Sequence, residues 1–597
     1  MREAHAEVSA ARRTLAGAAI ALAYLALAVA ASWPLARDFA TYTVGDVHYD
    51  ERHAIWVLWY TAQALAGRVS WPETTHLLFP HGISVLVDGV GPLNAVLALP
   101  FWPWGAAAAF NGTALLGIAL SGWSLYALAR GIGLARGPAF VAGALLLLWP
   151  MHLIAIAGHL EKLFVGMLPL TLLAGLRAFD PGRSRAWLAV PGVALLGALL
   201  QNGNQFIFAA LGVAFVGVQT WLAAPVEERR PRLRRMLIAG ALSLAICAPL
   251  LLALIKVMRD PTLFVALGEH TRYYSPDALS LVLPAPHQRW AAWLFPSDMH
   301  LKNYVWAPTL PALAPTEDWY GTGLETAVTI PLVAIALCVL AWRERAGRPW
   351  VIFGLVCAVL CLGPRLRIAG AMLPIAMPYD ALQHVPGLDV MRTPGRFMML
   401  GSVGFALAAG VGLSALVRRR PSASTALVAV AALAIAAECW PRTFAQTALP
   451  RVPEFYRQMA SGGWPPGPVL DLPHGWYNRS DRASAYMYYQ TIHHQPIAWS
   501  YLSRYHKRFP NEGLDPLWNL GLPADATLRT RLKVFGFRYV VWHKFSGMFV
   551  GGRVSTGMLA QPNGPPTPLA QHSIFRDAFA GATPVHEDDL VIVYAID

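Results

Sequence analysis

Eleven apolar runs organise this 597-residue chain. They fall at roughly residues 14–34, 107–129, 138–157, 163–178, 186–201, 204–223, 236–257, 324–342, 350–369, 396–417 and 423–438. Crossing the hydrocarbon core of a bilayer takes about 20 apolar residues. These runs approach or reach that length, and a soluble core has no place for so many of them. Composition agrees: 56% of residues are hydrophobic and only 14% charged, against about 25% charged in soluble globular proteins. With a mean hydropathy of +0.43, this excludes an ordinary soluble enzyme and a disordered chain, which would be polar and charge-rich. The first run is long and is followed by no small-residue cleavage site leading into a soluble chain. It reads as a retained span and not as a signal peptide.

Orientation follows from basic residues in short loops. Arg2, Arg12 and Arg13 open the chain. Arg130/Arg136, Arg177/Arg183/Arg185, the run Arg229, Arg230, Arg232, Arg234, Arg235, then Arg343/Arg345/Arg348 and Arg418-Arg419-Arg420 follow. With eleven spans every cluster falls on the N-terminal side, which is expected to be cytoplasmic. The other side receives 37–106, the short turn 158–162, 258–323, 370–395 and everything after 439. The segment 91–104, broken by Pro100 and Pro103 and ending in Trp102 and Trp104, reads as an interfacial helix and not as a span. Lys+Arg number 47 and Asp+Glu 34, a net charge of +13. The arginines sit between apolar runs, so the excess points to membrane topology and not to nucleic acid. Cys247, Cys338, Cys357 and Cys361 lie inside apolar runs and Cys439 ends one. None has disulfide or metal-ligand spacing.

The expected architecture is mainly α: a polytopic helical membrane bundle over 1–438, with outer loops 37–106 and 258–323, and an extracytoplasmic soluble α/β domain over 439–597. The tail is rich in Pro, Tyr, His and Arg. It holds short β-like runs at 469–472, 539–542 and 590–594 between turn signals.

Charge near a membrane is costly unless it is used or lies at the interface. Three places therefore stand out. Gly45-Asp46-Val47-His48-Tyr49-Asp50-Glu51 follows the first span and leads into Trp56-Val57-Leu58-Trp59-Tyr60, an amphipathic segment suited to lying on the membrane surface. Asp50 and Glu51 read equally as acidic residues favoured at a helix N-terminus. Gly158-His159-Leu160-Glu161-Lys162 forms the second outer turn, where Glu161 and Lys162 could simply pair. Arg392 and Arg396 flank Pro394-Gly395 at the outer entrance of the tenth run, against the positive-inside bias. Arginine's planar fork suits phosphate oxygens, and bulk lipid headgroups would use the same chemistry. In the long outer loop, Glu317-Asp318-Trp319-Tyr320 sets aromatics beside carboxylates. That pattern fits sugar rings and interfacial belts equally. His493-His494, read as a strand, would face opposite ways and not share a metal.

The order of these motifs resembles the GT-C superfamily of integral-membrane glycosyltransferases, bacterial and dependent on polyprenyl-phosphate-linked sugars. The resemblance covers most of the chain. It runs through GDVHYDERHAIWVLWY, the turn Phe79-Pro80-His81-Gly82, AGHLEKLFVGMLPL, LGPRL at 362–366 and MRTPGRF at 391–397. In the tail it includes VLDLP at 469–473, YMYYQTIHHQPIAWSYLSR at 486–504 and FGFRYVVWH at 535–543. Many relatives carry Asp, or Asp with Glu, in the second outer loop, where this chain has one Glu after a His.

The resemblance implies a GT-C-like fold in a bacterial inner membrane and inverting transfer of a hexose or pentose. The donor is a polyprenyl-phosphate sugar; the acceptor is a glycan, lipid or protein, with no nucleic acid involved. The leaving phosphate needs charge stabilisation, and the acceptor hydroxyl needs a base. Asp46 is the first choice for that base and Asp50 the second. Arg392 and Arg396 would hold the donor phosphate. Glu161 with His159 would bind a divalent cation, Mg or Mn, or orient the acceptor. Glu317, Asp318, Trp319 and Tyr320 would meet the acceptor. A flippase for lipid-linked saccharides would need polar groups at mid-membrane depth, yet Gln201, Asn202, Asn204 and Lys256 lie near span ends. A non-catalytic envelope scaffold is the other rival.

Overall fold

A computed structural model describes residues 2–44, 49–87, 91–260, 271–272, 274–285, 287–293, 323–385, 387–388, 391–472, 480–501, 527–544 and 579–596. Five of its helices are long and apolar enough to cross a membrane: Ala106–Gly131, Gly203–Leu222, Val226–Met258, Pro394–Arg419 and Pro421–Cys439. Shorter apolar helices span Leu15–Ala31, Arg136–Leu147, Met167–Phe179, Arg185–Gln201, Leu332–Trp342 and Arg348–Cys361. Each expected run coincides with one of these helices, and the chain is a multi-pass membrane protein.

Three runs depart from expectation at their ends. The run 138–157 stops at Leu147 and resumes as Pro150–Ile154 and a 3-10 turn, Ala155–Ala157. Pro150 has no N–H to continue the ladder. The run 350–369 ends at Cys361, and its last residues form the hairpin Arg365–Ile368 with Ala371–Ala376. The run 324–342 becomes helical only at Leu332, just after Pro331. Glu325 is left on a separate single turn, Gly323–Thr326.

The chain divides into two compact units. The first comprises Met1–Arg37, Asn111–Leu252 and Ala266–Ala445. Its centre is the helix Phe397–Arg419, buried from Phe397 through Ala415. Small residues let neighbouring backbones approach it. A Cβ on Gly412 would stand 2.1 Å from the Leu337 carbonyl of the helix Leu332–Trp342. The Glu438 carboxylate accepts from the backbone N–H groups of Leu332 and Val333 and so caps that helix. On the outside, Leu237, Leu244 and Leu252 of the helix Val226–Met258 are two-thirds exposed, an apolar surface of the kind a bilayer covers. Two pairs of the arginine-bearing turns meet. Arg418 and Arg419 reach Glu344 at 2.9 and 3.5 Å, and Arg235 donates to the carbonyls of Ala178 and Ser184.

The second unit comprises Asp38–Phe110, Ala253–Val265 and Gln446–Asp597. Most of it comes from the expected first outer loop and tail. The three β-like runs become strands Val469–Leu472, Tyr539–His543 and Val591–Ala595. With His586–Glu587 they form a four-stranded sheet. The first pair is parallel and the others antiparallel. A second pairing, Tyr42–Val44 against Gln446–Ala448, ties the start of the first loop to the start of the tail. The helix Tyr49–Leu65 packs against the helix Ser480–His493. It does not lie on a surface as expected, because Trp56 and Trp59 are only 1% and 5% exposed. Trp56 stacks on Tyr60 at 4.7 Å and donates its indole N–H to Gln490 at 2.6 Å. His493 ends that same helix and His494 follows at φ +60°, so neither lies in a strand.

Candidate active site

In the helical unit the turn expected to be the second outer one becomes a short helix, Leu160–Leu163. Gln205 holds it by donating to the carbonyls of Glu161 and Phe164 at 2.8 and 2.7 Å. The turn Pro394-Gly395-Arg396 approaches the Glu325 backbone so closely that a Cβ on Gly395 would stand 2.3 Å from the Glu325 carbonyl oxygen. Glycine is therefore required there, and it brings Arg396 alongside the Glu325 side chain.

The result is a buried ion network. Arg396 gives Glu325 two hydrogen bonds, from Nη2 at 2.8 Å and Nε at 3.3 Å. Lys162 Nζ stands 3.2 Å from Glu325 Oε1, and its side chain is 1% exposed. Glu161 Oε1 lies 2.9 Å from His159 Nδ1 and 3.7 Å from Arg396 Nη2. Burial alone would raise both carboxyls. For Glu161 the neighbouring His159, Arg396 and Lys162 outweigh it and hold the group below its usual range. For Glu325, Arg396 and Lys162 do so more strongly.

Three of the expected site residues, His159, Glu161 and Arg396, thus lie together. Arg392 is placed differently, with its guanidinium 5.5 Å above the Tyr274 ring. Lys162 pairs with Glu325 and not simply with its neighbour Glu161. Sequence reasoning passed over Glu325 entirely. Its only signal was a carboxylate at the entrance of an apolar run.

Among the described residues, the donor set around Glu161 and Glu325 does not fit a divalent cation. Both carboxylates are already matched by two fixed cations, and Glu161 itself lies 3.7 Å from Arg396. Among the described residues no three His, Cys, Asp or Glu side chains are grouped to hold a metal.

In the second unit, Asp50 and Glu51 occupy the first turn of the helix Tyr49–Leu65. Asp50 is partly exposed and accepts a hydrogen bond from the Tyr501 hydroxyl at 2.7 Å. Glu51 is 2% exposed. Burial pushes its carboxyl up to about 7, against the opposing pull of the Thr43 hydroxyl, which donates to it, and of Arg52. Thr43 also reaches the Thr447 carbonyl at 3.2 Å. Asp46, Glu317, Asp318, Trp319 and Tyr320 lie outside the described residues.

No family model matches the chain, and no curated protein matches it. Solved structures do. The fold is that of GT-C membrane glycosyltransferases. The arabinofuranosyltransferase AftD from Mycobacteria matches at TM-score 0.56 and 16% identity, over 97% of this chain and 40% of that one. This chain therefore spans about two fifths of AftD's length. Two other matches are looser. One is the oligosaccharyltransferase AglB from Archaeoglobus fulgidus, in complex with an inhibitory peptide and a dolichol-phosphate. It matches at TM-score 0.45 and 12% identity, over 89% of this chain and 69% of that one. The other is ArnT from Cupriavidus metallidurans bound to undecaprenyl phosphate. It matches at TM-score 0.45 and 13% identity, over 98% of each chain. At such identities the likeness is one of fold.

Proposed function

We propose that this chain is a membrane glycosyltransferase that moves a sugar from a polyprenyl-phosphate donor to an extracytoplasmic acceptor: a glycan, lipid or protein. The reaction needs a base for the acceptor hydroxyl and a cation for the leaving phosphate. The acceptor oxygen attacks the anomeric carbon and its proton passes to a carboxylate. The bond from that carbon to the phosphate oxygen breaks, and the electron pair leaves on the polyprenyl phosphate.

The observation that carries the reading is Asp50. It is a partly exposed carboxylate held by a defined hydrogen bond, in a chain whose fold matches an arabinofuranosyltransferase. Asp50 is the base in this reading, and Asp46 is the alternative that the same experiment separates. Arg392 meets the phosphate in this reading, because its guanidinium lies over the Tyr274 ring and is paired with no carboxylate among the described residues. Arg396, committed to Glu325, sets the turn that presents Arg392. The pairing of Arg235 with the 178–184 turn, and of Arg418 with Glu344, supports a cytoplasmic side bearing the arginine clusters. The N-terminus is then inside and the tail outside, in a bacterial inner membrane.

The test uses the full chain in lipid nanodiscs with two probes, farnesyl-phosphoryl arabinofuranose and farnesyl-phosphoryl mannose, scored for sugar release or transfer. Asp50→Asn should lower turnover by about 10²–10⁴. Arg392→Ala should weaken undecaprenyl phosphate binding roughly ten- to hundredfold, the loss of one charge-assisted hydrogen bond. Loss of turnover in Asp46→Asn with full turnover in Asp50→Asn would move the base to Asp46. Full turnover in both would overturn the reading.

A further inference from the structure

We propose that Tyr501 is a positioning residue for Asp50: its hydroxyl fixes the carboxylate that takes the acceptor's proton. This rests on the reading of Asp50 given above. The two residues are 451 positions apart, yet the Tyr501 hydroxyl donates to Asp50 Oδ1 at 2.7 Å. The Tyr501 ring also stands edge-on to His53, at 5.6 Å and 90°, one helical turn beyond Asp50.

The segment that delivers this hydroxyl is anchored on both sides. The Pro496 carbonyl accepts from Val469 N–H at 2.9 Å, and Ala498 N–H donates back to Val469 at 3.3 Å, so the segment runs along the edge of the sheet. On its other side, Ile497 N–H donates to His76 at 2.9 Å and Ile497 accepts from Phe79 N–H at 3.1 Å. Gln490 ties the same region together, donating to the carbonyls of His76 and Gln495 at 2.6 and 2.8 Å. Trp499 is 2% exposed and its indole donates to the Asp471 carbonyl. Tyr501 N–H points to Met487 Sδ at 3.2 Å. A segment held at this many backbone positions is not a mobile flap. Its last described residue carries a phenol to Asp50.

A phenol that donates to a carboxylate favours the charged form and fixes the plane of the group. Removing only the hydroxyl, in Tyr501→Phe, keeps the ring and its contact with His53. Two consequences follow. The carboxylate becomes harder to ionise, and its geometry loosens. Misplacement of a reacting group by about 1 Å costs about 10²-fold in rate.

The experiment reads both on the full chain in nanodiscs. Infrared difference titration identifies Asp50 as the carboxyl band that disappears in Asp50→Asn. In Tyr501→Phe that band should titrate roughly one pH unit higher. Other ionisable groups on the packed elements are the same in both proteins: Glu51, Arg52 and His53 on the Asp50 helix, and Arg482, Tyr488 and Tyr489 on the helix against it. The shift therefore isolates the phenol. With farnesyl-phosphoryl arabinofuranose as the probe, kcat should fall about ten- to hundredfold with KM unchanged, and the acid limb should move upward. Asp50→Asn/Tyr501→Phe should be no slower than Asp50→Asn alone. An unmoved band, or a slower enzyme with an unmoved acid limb, would overturn the inference. Full turnover in Asp50→Asn would instead remove the base, and with it the role of Tyr501, which is a distinguishable failure.

Discussion

Glu325 offers the sharpest test of how the helical unit is held together. Leaving His159 aside, the described part of the network holds two carboxylates, Glu161 and Glu325, and two cations, Lys162 and Arg396, whose charges cancel. Glu325 touches both cations, taking two hydrogen bonds from Arg396 and lying 3.2 Å from Lys162. Glu325→Gln keeps the shape and leaves a net positive charge on groups whose side chains are 1% and 14% exposed. Breaking a buried pair from one side costs about 3–5 kcal/mol, because the abandoned charge stays out of water. Lys162→Met should cost a similar amount with the opposite sign of residual charge. The double variant is neutral again. Its loss should fall short of the sum of the single losses by about 1–3 kcal/mol, the usual range for coupled neighbours. Equilibrium unfolding in detergent, followed through the chain's 22 tryptophans, measures all three. A single-variant loss below about 1 kcal/mol would place the network in an effectively aqueous setting. A double loss equal to the sum within about 0.5 kcal/mol would show that the charges do not act as one unit. Either result refutes the reasoning.

Two further outcomes follow. Glu51 has a folded pKa of about 7, above the ordinary carboxylate value near 4.3, so the folded state binds the extra proton. Its stabilising effect is full below about pH 4 and is lost as pH rises through 7. The span of roughly 2.7 units corresponds to about 4 kcal/mol. Glu51→Gln should flatten the pH dependence of the unfolding midpoint between about pH 4.5 and 7, and an unchanged slope would show that Glu51 is solvated. Titration with Mg²⁺ or Mn²⁺ should leave the unfolding midpoint unchanged, because Lys162 and Arg396 already balance the carboxylates. A saturable stabilisation lost in Glu161→Gln would overturn that.

What the sequence made legible was whatever depends on neighbours along the chain. Apolar runs report helices directly, and they did so even where Pro150 and Pro331 trimmed the ends. The short runs at 469–472 and 539–542 carried their strand character in β-branched and aromatic side chains. Arg396 was singled out by its position against the topology bias, yet its partner Glu325 was not. That pairing depends on Gly395, which lets one backbone approach another 71 residues away in the chain. Trp56 and Trp59 misled for the same reason. An aromatic pair on a helix fits a membrane surface and a packed interior equally well, and what decides between them is the helix Ser480–His493, far off in the sequence.

The same argument orders the carboxylates of the first loop. Asp46, Asp50 and Glu51 are of one chemical kind and within six positions, so distance along the chain cannot assign roles to them. Environment does. Glu51 is sealed against Thr43, and the strand carrying Thr43 pairs with the start of the tail. Its proton is therefore retained close to neutral pH. Asp50, one residue earlier on the helix, emerges from that packing far enough to be partly exposed and meets a phenol. A base must be ionised and reachable by the acceptor hydroxyl. Burial denies Glu51 both conditions, while Asp50, the base in the proposed reading, is partly exposed and accepts a hydrogen bond from Tyr501. The tail, which supplies Thr447 beneath Thr43 and Tyr501 beside Asp50, thus distinguishes two adjacent acids that the sequence presents as equivalent.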